Sequence, residues 1–149
     1  VTDLTALYQD IILDHYRAKH HSGLRDPYQV EVTHVNPSCG DELELRLSLD
    51  GDTIRDVSYQ AQGCSISQAS TSVMTDLVIG GTRDHALTLY DGFLAMLEGR
   101  GEVELDEEVY EDAIAFNGVA QFPARVKCAM LGWAALRDAI LRTQGGDNE

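Results

Sequence analysis

The sequence predicts an α+β fold, a three-stranded antiparallel sheet with helices packed on one face. Three observations carry that reading. Leu43, Leu45, Leu47 and Leu49 alternate with Glu44, Arg46 and Ser48, the pattern of a half-buried strand. Shorter alternating runs lie on either side of it, each separated by a turn signal. Elsewhere the apolar residues recur at helical spacing, as in Leu4, Leu7, Tyr8, Ile11 and Ile12. A chain of 149 residues without repeats or low-complexity linkers is expected to form one domain over residues 1–149, with a frayed tail from about 144 to 149.

The first helix is expected to be capped by Asp3 and to run to about Arg17 or Lys19. Gly23 and Pro27 mark His20 to Tyr28 as a loop, and His20-His21 reads as solvated. The first strand covers Val30 to Asn36, with His34 as strand packing, and Pro37 ends it. Asp50-Gly51-Asp52 turns the central strand into a third one holding Ile54, Val57, Tyr59 and Ala61, with an irregularity near Asp56. Ser65 or Ser67 can cap a helix from about Gln68 to Val78, which Gly80-Gly81 ends. Thr82 caps the next, whose face is Leu87, Tyr90, Leu94 and Leu97, up to Gly99. Val109, Ala113 and Phe116 suggest a short helix before Asn117-Gly118. Pro123 suits the first turn of a last helix reaching about Arg142, with Met130, Trp133, Ala134 and Leu141 partly inward.

Charge excludes some partners. With 25 acidic and 11 basic residues the net charge is -14, which argues against nucleic acid and anionic membrane surfaces. No apolar run is long enough to cross a bilayer, and the N-terminus does not read as a signal peptide. A cytoplasmic location is therefore expected, where three cysteines point to metal ligands, a nucleophile or buried thiols rather than disulfides. The acidic run Glu102 to Asp112 reads as a solvated face.

The chemistry centres on Asn36-Pro37-Ser38-Cys39-Gly40-Asp41-Glu42. Cys39 and Asp41 offer a thiol and a carboxylate on a turn that Gly40 lets fold round one point. Cys64 and Cys128, the other two cysteines, each lie near the start of an expected helix. Three thiols and a carboxylate would complete a four-coordinate centre for a thiophilic cation such as zinc. At Cys128 the helix dipole and exposed N–H groups would favour the thiolate. Arg125 and Lys127 could offset the anionic charge. The competing reading keeps Cys64 and Cys128 as small core residues and Asp41 as a turn residue. The five histidines form no zinc motif, and Ser65, Ser67, Ser70 and Ser72 read as caps and small helix residues rather than nucleophiles.

Four stretches together resemble the SufU family of the IscU-like iron–sulfur assembly superfamily. They are Leu7-Tyr8-Gln9-Asp10-Ile11-Ile12-Leu13-Asp14-His15-Tyr16, Asn36 to Asp41, Gly63-Cys64-Ser65-Ile66-Ser67, and Phe122-Pro123-Ala124-Arg125-Val126-Lys127-Cys128. The IscU scaffolds carry a histidine before the third cysteine, where this chain has Lys127. They also carry a Leu-Pro-Pro-Val-Lys chaperone-recognition motif that is absent here, and a shorter segment between the second and third cysteines. The stretch around Glu102 to Phe116 resembles the SufU insertion.

The resemblance implies a zinc-dependent sulfurtransferase. It would take persulfide sulfur from a SufS-type cysteine desulfurase and pass it to the SufBCD assembly complex. Zinc would be held by Cys39, Asp41, Cys64 and Cys128, with Cys39 as the sulfur acceptor and Arg125 in support. In that family a histidine of the desulfurase replaces the acceptor cysteine on the metal, and pyridoxal phosphate belongs to the desulfurase. The alternative is an iron–sulfur cluster scaffold using the same ligands, and a third reading is a structural zinc domain for protein interaction.

Overall fold

Leu43, Leu45 and Leu47 are each fully buried, whereas Glu44 and Arg46 between them are not. That alternation makes β2 (Asp41–Asp50) the middle of the sheet. It pairs antiparallel with β1 (Val30–Asn36) on one side and β3 (Thr53–Gln62) on the other, in the order β1-β2-β3. The register of β2 on β3 shifts between Ser48 and Leu49, so Arg55 is the extra residue of a bulge beside Asp56, as the sequence suggested. The computed structural model describes residues 4–38 and 40–146, so Asp3, Cys39 and the residues beyond Gly146 lie outside the described residues.

The helices are α1 (Leu4–Ala18), α2 (Ser65–Val78), α3 (Arg83–Glu98), α4 (Glu107–Tyr110) and α5 (Pro123–Gly146), with a 3-10 helix (Glu111–Gln121) between the last two. On the sheet face that carries the β2 leucines, α5 packs across β1 and β2 and α2 against β3, while α1, α3 and the 3-10 helix pack on those two helices. Trp133 of α5 is fully buried and stacks on Phe93 of α3, with centroids 4.6 Å apart. Its indole N–H donates to Ser70 Oγ of α2 at 3.2 Å. The acceptor helix is itself buried, and Thr71 and Thr75 spend their hydroxyls on the carbonyls of Ser67 and Ser72.

Loops occupy both ends of the outer edge of β3. Gly23 N–H donates to Tyr59 O at 2.7 Å and Gly80 N–H to Ile54 O at 2.8 Å, while Ile54 N–H reaches Gly81 O at 2.8 Å. Arg25 holds one of these loops in place. Its Nε and Nη2 donate to the two carboxylate oxygens of Asp56 at 2.9 and 2.8 Å.

Several expectations need correction. Neither Ser65 nor Ser67 caps α2. Cys64 occupies the cap position without a side-chain bond, and the helix starts at Ser65 rather than Gln68. Asn117-Gly118 does not stop a helix but lies inside the 3-10 helix, and α5 runs to Gly146, past the expected end near Arg142. His34 does more than pack, since its Nε2 pairs with Asp138 Oδ2 of α5 at 2.9 Å. His20-His21 is not simply solvated, because both rings bond to α2. In the acidic run, Glu102, Glu104 and Asp106 face solvent as expected, while Val103 and Leu105 between them turn inward and Tyr110 is buried.

Candidate metal centre

Asn36 and Asp41 pair across the start of the β1–β2 hairpin, so the first residue of β2 is placed at the end of the sheet. β3 runs back alongside, and its continuation brings Gly63 and Cys64 beside Asp41. The carboxylate of Asp41 is fully buried, where an ionised oxygen needs strong donors or a cation. Its Oδ1 accepts the backbone N–H of Cys64 at 2.8 Å, and its Oδ2 lies 3.6 Å from Cys64 Sγ.

Gly63 makes this approach possible. A Cβ there would fall 2.0 Å from Asp41 Oδ1 and 2.9 Å from Asp41 Cα. The backbone at Gly63 also has φ +139°, which disfavours any side chain. The carboxylate therefore occupies the space a side chain would fill.

Cys128 completes the cluster from α5. It is buried, and its Sγ lies 3.8 Å from Ala124 O one turn earlier. The exposed N–H groups of the first turn lie before it. Cys128 sits in the second turn. One ligand atom from each of Asp41, Cys64 and Cys128 lies within 4.8 Å of the others.

The donor set fits a thiophilic cation. Tetrahedral zinc with Zn–S near 2.3 Å and Zn–O near 2.1 Å sets a sulfur and an oxygen ligand about 3.6 Å apart. The Asp41–Cys64 separation of 3.6 Å already matches that spacing. Cys39 belongs to the connection between Asn36 and Asp41 and lies outside the described residues, while Gly40 beside it has φ +70° and open space around it. Arg125 is exposed three residues before Cys128. It lines a groove of about 570 Å³ with Tyr8, Ile12, Ser65, Ile66 and Phe122, of which Ser65 is the chain neighbour of Cys64.

A second group of donors was missed by the sequence reading. His15, His20 and Asp76 also place one ligand atom each within 4.8 Å of one another. The residues lie far apart in the chain, and the only sequence signal was the density of histidines after α1.

Sheet, helices and cluster define a small α+β protein with a thiol- and carboxylate-lined candidate metal centre at the sheet end. Residues 7–129 match the model of the NifU-like N-terminal domain. The chain belongs to that family. It is 39% identical to the zinc-dependent sulfurtransferase SufU of Bacillus subtilis over 97% of both chains. It is 41% identical to the iron–sulfur cluster assembly scaffold protein IscU of Streptococcus pyogenes, over 96% of this chain and 88% of that one. Among solved structures, a candidate iron–sulfur cluster assembly scaffold protein for the SUF system from Fervidobacterium islandicum superposes with a TM-score of 0.81. It shares 38% identity, over 88% of this chain and 94% of that one.

Proposed function

We propose that this chain is a zinc-dependent sulfurtransferase of iron–sulfur cluster assembly. The observation that carries the reading is the convergence of Asp41, Cys64 and Cys128 within 4.8 Å. Similarity to a protein named a zinc-dependent sulfurtransferase supports it. In this reading Cys39, Asp41, Cys64 and Cys128 hold zinc, which supplies charge that keeps the thiols deprotonated near neutral pH.

The chain's own residues divide the work. Asp41 is pinned by Cys64 N–H and by contact with Gly63, so it is a fixed donor. Cys128 is held on a packed helix. Cys39 is the acceptor. Its neighbours Ser38 and Gly40 are exposed, and Gly40 can change conformation at small cost. The Cys39 thiolate attacks the outer sulfur of a persulfide on a SufS-type cysteine desulfurase. A new S–S bond forms on Cys39, the donor's S–S bond breaks, and the donor cysteine leaves as a thiolate. No electrons are gained or lost overall. The persulfide then passes to the SufBCD complex. Arg125, on the wall of the groove that Ser65 also lines, supports the encounter with the partner. The protein acts in the cytoplasm; among the described residues no helix is long and apolar enough to cross a membrane.

The test combines metal analysis with sulfur mapping. Protein purified without air should contain one zinc per chain and no visible absorption. After reaction with desulfurase and cysteine, alkylation and peptide mass spectrometry should place the persulfide on Cys39, and Cys39→Ser should abolish desulfurase stimulation. Iron and sulfide in the purified protein would instead support the scaffold reading, and persulfide on Cys128 alone would overturn the acceptor assignment.

A further inference from the structure

On the far side of α2 from its cysteine end, α1 and the loop after it bring three imidazoles over one carboxylate. We infer that His15, His20 and Asp76 form a second cation site, for a late first-row divalent ion such as zinc or nickel, with His21 at its rim. The inference stands apart from the proposed function and uses none of the same residues.

The ligand atoms of His15, His20 and Asp76 lie within 4.8 Å of one another. The rings of His15 and His20 have centroids 4.7 Å apart. His20 Nδ1 is 2.6 Å from Asp76 Oδ2, and His21 Nδ1 is 3.5 Å from the other oxygen, Oδ1. Imidazole nitrogen with one carboxylate oxygen is a donor set for zinc, nickel or copper, without the sulfur that marks the first centre. The chain's net charge of -14 favours holding a cation.

His15 is held in the tautomer and ring orientation that a ligand needs. It is buried, and its Nε2 lies 2.9 Å from Asp112 Oδ2. An ionised carboxylate only accepts, so Nε2 carries the proton and Nδ1 keeps its lone pair. Ser72 Oγ, 2.8 Å from Nδ1, is then the donor to that lone pair, and a cation at Nδ1 would take the place of this hydroxyl proton. A metal-binding histidine typically gives its other N–H to a carboxylate in this way, which fixes ring and tautomer. Asp112 closes the acidic run for which the sequence offered only a solvated role.

His20 is held by backbone as well. Its N–H donates to Ser72 Oγ at 2.9 Å. Lys19 and His21 on either side have φ of 49° and 64°. They are two of four non-glycine residues with positive φ among the described residues, so unfavourable backbone is concentrated where it turns His20 over His15. A cation would replace the His20–Asp76 hydrogen bond and set these atoms about 3.3 Å apart, the edge of a tetrahedron with Zn–N near 2.0 Å. The His20 and Asp76 side chains are both partly exposed, so a change of that size moves no buried group.

The test uses the full chain with its resident metal measured first. Zinc is titrated while the ring resonances of all five histidines are followed by NMR. His15 and His20 should shift together and saturate at one further equivalent. His20→Ala and Asp76→Asn should each weaken this binding at least about tenfold, with the resident metal and the melting temperature unchanged. His85→Ala should change nothing. Shifts confined to His34 or His85, no saturable shift in the wild-type chain, or wild-type affinity in both variants would overturn the site.

Discussion

Asp41 and Cys64 are joined by a hydrogen bond from the Cys64 N–H to Asp41 Oδ1, 2.8 Å long and spanning 23 residues of chain. The bond ties the start of β2 to the residue that opens α2, so the carboxylate and the thiol are positioned by the same contact. Its geometry depends on Gly63, which lets the carboxylate lie directly on the backbone.

Gly63→Ala should therefore damage the centre without replacing any of its ligand residues. The added methyl meets Asp41 Oδ1 at 2.0 Å on a backbone with φ +139°. The backbone term alone costs about 1–3 kcal/mol, and Asp41 must move as well. Metal content should fall below one per chain and the melting temperature should drop. Full metal content with wild-type melting would show that the turn relaxes freely.

Removal of metal should destabilise the fold, because the donors come from a hairpin, a strand–helix junction and a distant helix. The melting temperature should fall after verified chelation and return when zinc is restored. Lys127→Ala should keep the metal, since an ammonium is not a ligand at neutral pH. Arg125→Ala should keep it too, yet reduce desulfurase stimulation. Loss of metal in Arg125→Ala would assign the guanidinium to holding the centre together.

The Arg25–Asp56 pair gives an acid-dependent contribution. The hydrogen bonds from Arg25 hold the Asp56 carboxyl below its usual range, against an opposing effect of burial. A depressed carboxyl stabilises the fold above its unfolded value of about 3.9, and the contribution is lost as pH falls through the lower folded value. Asp56→Asn should cost about 1 kcal/mol at neutral pH, discounted for the partial exposure of both partners. Urea unfolding should show this gap close at strongly acidic pH. A gap that persists there would mean the pair matters through packing.

Trp133→Ala should cost about 3–5 kcal/mol, as for other large core truncations, because the ring is fully buried against Phe93. Trp133→Phe should cost less but leave Ser70 without its indole donor. Denaturant titration followed by circular dichroism measures both. As the chain's single tryptophan, Trp133 also reports wild-type unfolding by fluorescence.

Strand alternation depends on neighbours two residues apart and was legible; helical spacing located the helices, but on α3 it marked the half-buried Leu87, Tyr90 and Leu94 where Ala86, Leu89, Phe93 and Met96 are buried. The β2 leucines, the cap at Thr82 and the bulge beside Asp56 all follow from local pattern. The 3-10 helix was not legible, because its period of three residues hides from a search at 3.6 and Asn117-Gly118 mimics a stop. For the candidate centre, donor types were readable from Cys64, Cys128 and Asp41. The Cys64 N–H on Asp41 was not, since a backbone donor leaves no mark in composition. The joining of His20 to Asp76, 56 residues away, likewise appears only once α1 and α2 are packed.

The loop residues along β3 also limit how this sheet can grow. Gly23 and Gly80 donate to the outer edge of β3, and Gly81 accepts from it. Among the described residues no loop backbone bonds to the outer edge of β1. A sheet with one open side can add a strand once. Two copies meeting edge to edge would pair β1 with β1 about a two-fold axis and expose only protected β3 edges. Association by strand addition would then stop at a six-stranded dimer, and growth into a fibre would first require the Gly23 and Gly80 loops to peel away.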